Sequence, residues 1–362
     1  MTKKPAPTAW RVRASLLPDG DLVDAGITER GQWTLRPAAG AADLPGRFIL
    51  PGLVDAHCHL SVGQTASGEP AALEPEAAAA NLRNAHRAGI TAIRDTGSPG
   101  SLTLRVLATG AGPGLQACGR FLAPEGRYYP GLHVPVPPEQ LVSAALAEVR
   151  DGAAWIKVIA DFPFLGSGEQ PQAPLPTYPL DDIRRLVGAV HGAGARVAAH
   201  STTGYVTELI AAGIDSVEHG TALDEAGIES LAARGGAWTP TLCATIGPRD
   251  SDDTPARQTA RLELRERLRY LLPKAAECGL TIMTGTDVVG SIPREVALLA
   301  ELGLAPHAAL AAASTSARQF LGFASLHEGE PADLVTYGAD PRDDPAVLSQ
   351  PAAIFMAGTR IR

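Results

Sequence analysis

One local pattern recurs along this 362-residue chain and restricts what it can fold into. An alanine-rich stretch ends near a glycine, and a short apolar run follows. It occurs as Ala85-His-Arg-Ala-Gly-Ile-Thr-Ala-Ile-Arg-Asp95 and Ala189-Val-His-Gly-Ala-Gly-Ala-Arg-Val-Ala-Ala-His200. It returns as Leu209-Ile-Ala-Ala-Gly-Ile-Asp-Ser-Val-Glu-His219, Leu231-Ala-Ala-Arg-Gly-Gly-Ala-Trp-Thr-Pro240 and Ala275-Ala-Glu-Cys-Gly-Leu-Thr-Ile-Met-Thr-Gly-Thr-Asp287. Glycine past a helix end takes a left-handed conformation without steric cost. The apolar run after it suits a strand buried on both faces of a parallel sheet.

Counted this way, eight strands are expected near 53–59, 90–95, 114–121, 154–160, 196–200, 214–219, 236–241 and 280–287, with helices between them. The expected class is α/β, and eight such units over roughly 250 residues are what a closed (β/α)₈ TIM barrel needs. An open doubly wound sheet is the alternative, but no glycine-rich dinucleotide fingerprint follows the first strand. The barrel is expected over 51–328. Residues 1–50 and 329–362 read instead as short strands and turns, for example Leu16-Leu-Pro-Asp-Gly-Asp-Leu-Val23, Gly31-Gln-Trp-Thr-Leu35, Ala332-Asp-Leu-Val-Thr-Tyr337 and Ala353-Ile-Phe-Met-Ala-Gly-Thr-Arg-Ile361. Neither end holds enough apolar residues for its own core, so the two are expected to pair into one small β-sandwich.

The net charge of −8 argues against a nucleic-acid or anionic-membrane binder. The arginine-rich stretch 257–269 carries leucines at 264, 268, 271 and 272, the mark of a helix with one buried stripe and a solvated face. No run approaches the ~20 apolar residues of a membrane span. Met1-Thr-Lys-Lys-Pro-Ala-Pro7 leads into no apolar leader core. The four cysteines (Cys58, Cys118, Cys243, Cys278) are scattered, so a disulfide framework is not expected and a cytoplasmic location is. The expected partner is a small-molecule substrate; association into a homo-oligomer stays open. Asp250-Ser-Asp-Asp-Thr-Pro255 reads as a polar loop after strand seven.

The chemistry concentrates at strand ends. Phe48-Ile-Leu-Pro-Gly-Leu-Val-Asp-Ala-His-Cys-His-Leu60 is an apolar run ending in His57 and His59. Alternation along a strand puts both imidazoles on one face and turns Cys58 away as a buried thiol. Two imidazoles so placed can grip one metal ion. Strands five and six end in His200 and His219, and strand eight in Asp287. In a barrel, functional side chains sit at the C-terminal strand ends, so these would share one rim.

Lys157 lies within Ala154-Trp-Ile-Lys-Val-Ile-Ala160, where an unpaired ammonium is costly to bury. Of the chain's 31 basic residues only Lys3, Lys4, Lys157 and Lys274 are lysines. A neutral lysine amine can take up carbon dioxide as a carbamate, an anionic ligand with two oxygens; a guanidinium is poorly suited to this. The alternative is an ion pair with a rim carboxylate such as Asp287. His86, His191, His307 and His327 lie outside the strand ends. Tyr128, Tyr129 and His133, in the loop after strand three, could reach a substrate.

Taken in order, Leu50-Pro-Gly-Leu-Val-Asp-Ala-His-Cys-His59, Trp155-Ile-Lys-Val158, Val197-Ala-Ala-His200, Ser216-Val-Glu-His-Gly220, Thr284-Gly-Thr-Asp287 and Glu328-Gly-Glu-Pro-Ala-Asp-Leu-Val335 resemble the amidohydrolase superfamily. The likeness is to its imidazolonepropionase-like and prolidase-like metal-dependent hydrolases, over nearly the whole chain. The resemblance implies two divalent metal ions, most often Zn²⁺. His57, His59 and Asp287 would bind one, and His200 and His219 the other, with a carbamate on Lys157 and a hydroxide bridging them. The hydroxide would be the nucleophile and Asp287 the proton carrier.

Relatives often carry a second histidine two residues after the strand-five ligand. Here Ser201-Thr-Thr-Gly-Tyr205 follows His200, with threonine at 202, so that an expected substrate contact is either missing or moved to Tyr205. The expected activity is hydrolysis of an amide bond in a small substrate of dipeptide or N-acyl amino acid type. Cyclic-amide hydrolysis, lactone opening and deamination are the enzymatic alternatives; Lys157 weighs against deamination, since mononuclear branches usually lack it. A non-catalytic barrel would typically have lost ligands that this chain keeps.

Overall fold

The computed structural model describes residues 9–66, 68–110, 114–165, 173–247 and 254–362. Residues 1–8, where the leader was sought, and 250–253 of the expected polar loop lie outside them.

Two parallel sheets carry the centre of the molecule. Six strands run in the order Phe121–Leu122, Trp155–Ile159, Arg196–Ser201, Ser216–His219, Ala237–Thr239 and Thr281–Ile282. Three more run in the order Leu115–Ala117, Ile90–Asp95 and Leu53–Cys58. The sheets adjoin at both edges. Leu115–Ala117 and Phe121–Leu122 are near-consecutive in the chain, and the Ser98 N–H donates to the Gly119 carbonyl between them (2.9 Å). At the other edge the Ala56 N–H donates to the Thr284 carbonyl (2.9 Å), and Cys58 pairs in parallel with Asp287.

Helices connect the strands. Val206–Ala212 ends at Gly213, whose φ of 104° turns the chain back toward Ser216–His219. Every residue of Trp155–Ile159 is buried, as a strand covered on both faces must be. On the helix side Ile156, Val158, Val197, Val217 and Trp238 pack in one core with helix residues such as Leu186, Leu209 and Leu231. Burial of each large apolar side chain is worth roughly 1.5–3 kcal/mol. A separate cluster joins Val54, Ala56, Ala92, Cys118, Trp155, Ala198, Ala237 and Met283, from within or just after the parallel strands. Most are small, and Trp155 fills the space between the guanidinium groups of Arg94 (4.5 Å) and Arg196 (4.2 Å).

The chain ends pair with each other. Their strands form one eight-stranded sheet, in which Phe48–Pro51 joins Trp10–Leu16 to Leu334–Tyr337. The sheet bends back on itself: the Ala332 N–H donates to the Gly31 carbonyl (2.8 Å), and the Trp10 and Phe355 rings lie 6.4 Å apart. Val12, Ala25, Ile27, Trp33, Leu334 and Phe355 share its core.

In the arginine-rich helix Pro255–Glu277, Leu268, Leu271 and Leu272 are buried and most of its arginines face solvent. The four cysteines are free thiols. Among the described residues no helix is long and apolar enough to cross a membrane.

Candidate metal centre

The strand ends converge. One ligand atom each from His57, His219 and Asp287 lie within 4.8 Å of one another. Asp287 Oδ1 is also 3.5 Å from His59 Nε2. The His57 ring centroid lies 5.3 Å from that of His59 and 4.9 Å from that of His219, which is 4.5 Å from His200. The trio of nearest ligand atoms thus crosses the two ligand sets that the resemblance implies.

Hydrogen bonds determine what the imidazoles present to one another. His59 Nδ1 lies 2.9 Å from the Gly97 carbonyl oxygen, which can only accept, so Nδ1 carries the proton and Nε2 a lone pair. His219 Nδ1 lies 2.7 Å from Thr241 Oγ1; that hydroxyl donates to the Pro240 carbonyl (2.8 Å) and therefore accepts from the ring. His57 Nδ1 lies 2.6 Å from Glu218 Oε2, a buried carboxylate. All three rings are thereby held as Nδ1–H donors with Nε2 free, the arrangement of metal-ligating histidines. Burial lowers the pKa of His57, His59 and His219, which keeps them neutral; desolvation takes His200 down to about 4.

Two backbone conformations mark the same place. His219 (φ 65°) and Asp287 (φ 54°) adopt the left-handed region, uncommon outside glycine and found disproportionately at functional sites. The Trp238 indole N–H holds the His219 carbonyl (2.9 Å), and the Asp287 N–H donates to the His57 carbonyl (2.7 Å). A Cβ on Gly285 would lie 2.5 Å from that of His57, so only glycine lets this segment pass the strand. Asp55 ties the first strand to the same segment by accepting from the Thr286 N–H (3.1 Å) and hydroxyl (2.6 Å).

Lys157 is 1% exposed, and its Nζ has no hydrogen-bond partner. The ion pair with Asp287 does not form. Burial lowers its pKa, favouring the neutral amine. A buried amine without a partner, free Nε2 lone pairs and a carboxylate 3.5 Å from one of them form a poor arrangement on their own account. Divalent cations would satisfy it, so the donor set fits the metal ions expected here.

The loop candidates divide. Tyr128 is buried and Tyr129 half-buried against Phe162, with ring centroids at 5.2 and 5.3 Å. His133 has its ring nitrogens 3.3 Å from the Tyr129 and Pro124 carbonyls, within its own loop. The Tyr205 hydroxyl donates to the Tyr178 carbonyl (3.1 Å) and its ring packs on the core. Of the histidines set aside, His191 sits against Asp215 (2.8 Å). His86 is half-buried, which lowers its pKa.

Sequence reasoning passed over three residues. Glu218 lies inside a quoted motif, yet its partners His57 and Arg94 are distant in sequence. Arg94 donates to Glu218 Oε1 (2.7 Å) and to the Ala56 carbonyl (2.6 Å). Asp161 accepts from the Ser201 hydroxyl (2.6 Å) and from the N–H and hydroxyl of Thr202 and Thr203, which fixes the segment after His200. A cavity of about 510 Å³ opens beside His59 and Asp287, with Leu60, Asn81 and Ile292 in its walls; this is small-molecule scale.

The amidohydrolase family model matches residues 48–360. An uncharacterized protein of Mycobacterium tuberculosis is 34% identical over 360 residues, covering 96% of this chain and 94% of its own. A crystal structure of a Xaa-Pro dipeptidase with methionine in its active site superposes with a TM-score of 0.80 at 22% identity, over 98% of this chain and 100% of that one. Aspergillus niger ochratoxinase gives a TM-score of 0.77 at 19% identity, over 98% and 96%. This chain shares its fold with both solved structures.

Proposed function

The chain belongs to the amidohydrolase family, and on that footing we propose that it is a metal-dependent hydrolase cleaving an amide bond in a small substrate of dipeptide or N-acyl amino acid type. The architecture proposed with it is a closed (β/α)₈ barrel over 51–328, supported by the hydrogen bonds at both junctions of the parallel sheets. Residues 1–50 and 329–362 make the β-sandwich, supported by the folding back of their shared sheet.

One observation carries the functional reading: three imidazoles held as Nδ1–H donors gather at Asp287, in a centre whose lysine is buried without a hydrogen-bond partner. His57, His59, His200, His219 and Asp287 would hold two divalent ions, Zn²⁺ in the simplest case, with Lys157 as a carbamate between them. Such ions supply an acidified water and polarise the scissile carbonyl. Burial lowers the pKa of Lys157, which shifts its amine toward the neutral form that reacts with carbon dioxide. Gly97, Thr241 and Glu218 keep the rings from rotating. Asp287 Oδ1 takes the proton of the attacking water and hands it to the leaving nitrogen. Its left-handed backbone, tied to the His57 carbonyl, aims it across the site.

The test is a hydrolysis screen of the full chain over dipeptides, N-acyl amino acids and lactones, before and after chelation and zinc return. The reading requires amide cleavage that chelation abolishes and zinc restores. Cleavage indifferent to chelation, or lactone cleavage alone, contradicts it.

A further inference from the structure

The rings around the metal centre form a closed circuit. From His59 the centroid steps run to Phe121 (5.2 Å), Tyr128 (4.9 Å), Phe162 (5.2 Å) and His200 (5.7 Å). They return through His219 (4.5 Å) and His57 (4.9 Å) to His59 (5.3 Å). Four imidazoles make one arc, and three benzenoid rings the other. The metal chemistry uses the first arc alone. Phe121, Tyr128 and Phe162 are all under 9% exposed and belong to an apolar cluster distinct from the main core.

The apolar character continues outward. Among the described residues nine large apolar side chains are exposed, and four of them, Val134, Phe164, Leu175 and Val289, lie in the connections that follow strands three, four and eight, Leu175 in a two-residue strand paired with Phe162. This is the rim on which the histidines sit. Arg127, the basic residue of the strand-three loop, does not offset this. Its guanidinium donates to the Phe162 carbonyl (3.0 Å) and lies over the Phe164 ring (5.7 Å), engaged with the loops themselves.

A wall of three benzenoid rings beside a reacting centre discriminates by contact with flat apolar groups, since rings prefer tilted or edge-on partners at such spacings. We propose that the arc Phe121–Tyr128–Phe162 is the specificity surface of the site. Its substrates would present an aromatic or bulky apolar group beside the scissile amide, in preference to a small or charged one. This rests on the amide-hydrolase reading and names its substrate class.

The zinc-loaded full chain is assayed on dipeptides differing at one position, with Gly, Asp, Lys, Leu or Phe on either side of the bond. On at least one side Phe and Leu should exceed Gly, Asp and Lys in kcat/KM by about tenfold or more, the scale that apolar pockets give. Phe162→Ala should bring that ratio toward one, with Tyr128→Ala in its place should the first not fold. Equal rates across the series, or an unchanged ratio in the variant, overturn the assignment. Binding of 3-phenylpropionate against acetate, by calorimetry, reads the same surface without turnover. Tighter binding of phenylpropionate that Phe162→Ala removes supports the arc even if no amide is cleaved, in which case only the amide reading falls. Cleavage without preference leaves that reading standing and removes the arc.

Discussion

The Glu218 carboxylate clamps His57 from behind: Oε2 sits 2.6 Å from His57 Nδ1, while Oε1 accepts from Arg94 (2.7 Å) and Ser216 (2.6 Å). Both Glu218 and Arg94 are fully buried. Burial pushes the carboxyl pKa up, while the Arg94 guanidinium and the hydrogen bond from Ser216 pull it down, to below the ordinary value. A carboxylate on the far nitrogen fixes the ring and raises the basicity of Nε2. The sheet interior and the candidate metal centre are thereby joined through one pair of residues.

Glu218→Gln should therefore weaken metal binding by about 10–100-fold, the usual effect of losing such a partner. Chelator competition against the wild type measures it. Glu218→Ala should be worse for the fold, because Arg94 would be left as a buried unpaired charge at a cost of about 3–5 kcal/mol. Equal metal affinity in the Gln variant would show that the clamp does not tune the ligand.

Lys157→Met separates metal binding from folding. The substitution removes a buried amine without a partner, so the metal-free variant should unfold at a temperature no lower than metal-free wild type. The same variant should retain less metal and lose nearly all turnover. Thermal melts with elemental analysis check both halves, and wild-type metal content in the variant would remove Lys157 from the ligand set.

Asp287→Asn should keep the fold, since asparagine tolerates the left-handed conformation recorded at φ 54°. It cannot accept and return a proton, so kcat should fall by about 10²–10⁴-fold. Assays in saturating zinc distinguish this from simple metal loss. Wild-type turnover under those conditions would exclude the proton-carrier role.

Glu295 gives a pH test away from the metal. It is fully buried and caps the Leu242 N–H (3.0 Å) and Cys243 N–H (2.6 Å). Burial pushes its carboxyl up to about 7; Cys243 and Asp55 are the neighbouring titratable groups. An acid whose folded pKa lies above the unfolded value binds more protons when folded, so its contribution falls as pH rises from 4.5 through 7. That interval corresponds to about 3 kcal/mol at most. Glu295→Gln loses an acceptor at every pH and, having no group that titrates, loses this dependence on protonation as well. The difference in melting temperature, variant minus wild type, should be more favourable to the variant at pH 8 than at pH 5. A difference independent of pH would contradict the shift.

The repeating helix–glycine–strand pattern placed the strands well because both signals are local. His57, His59, Lys157, His200, His219 and Asp287 were legible for the same reason: each ends or interrupts an apolar run. Strand eight is shorter than its apolar run. Regular pairing covers Thr281–Ile282, and the chain then bends past His57 at Gly285 to reach Asp287. The Glu218–His57 and Asp161–Thr203 contacts were hidden, since each joins separate strands and leaves no spacing to read. Loop side chains were the least legible. His133 and Tyr205 have the chemistry of substrate contacts, but neighbouring carbonyls take their polar atoms, and only the folded loop determines that.

The side chains of this centre are proposed to hold two metal ions around Lys157. Elemental analysis of the purified full chain after zinc loading and desalting tests this most directly, with Lys157→Met treated in parallel. Close to two zinc ions per wild-type chain, and clearly fewer in the variant, are expected. A wild-type protein that retains no divalent ion, or a variant that retains as much as wild type, would contradict the proposal.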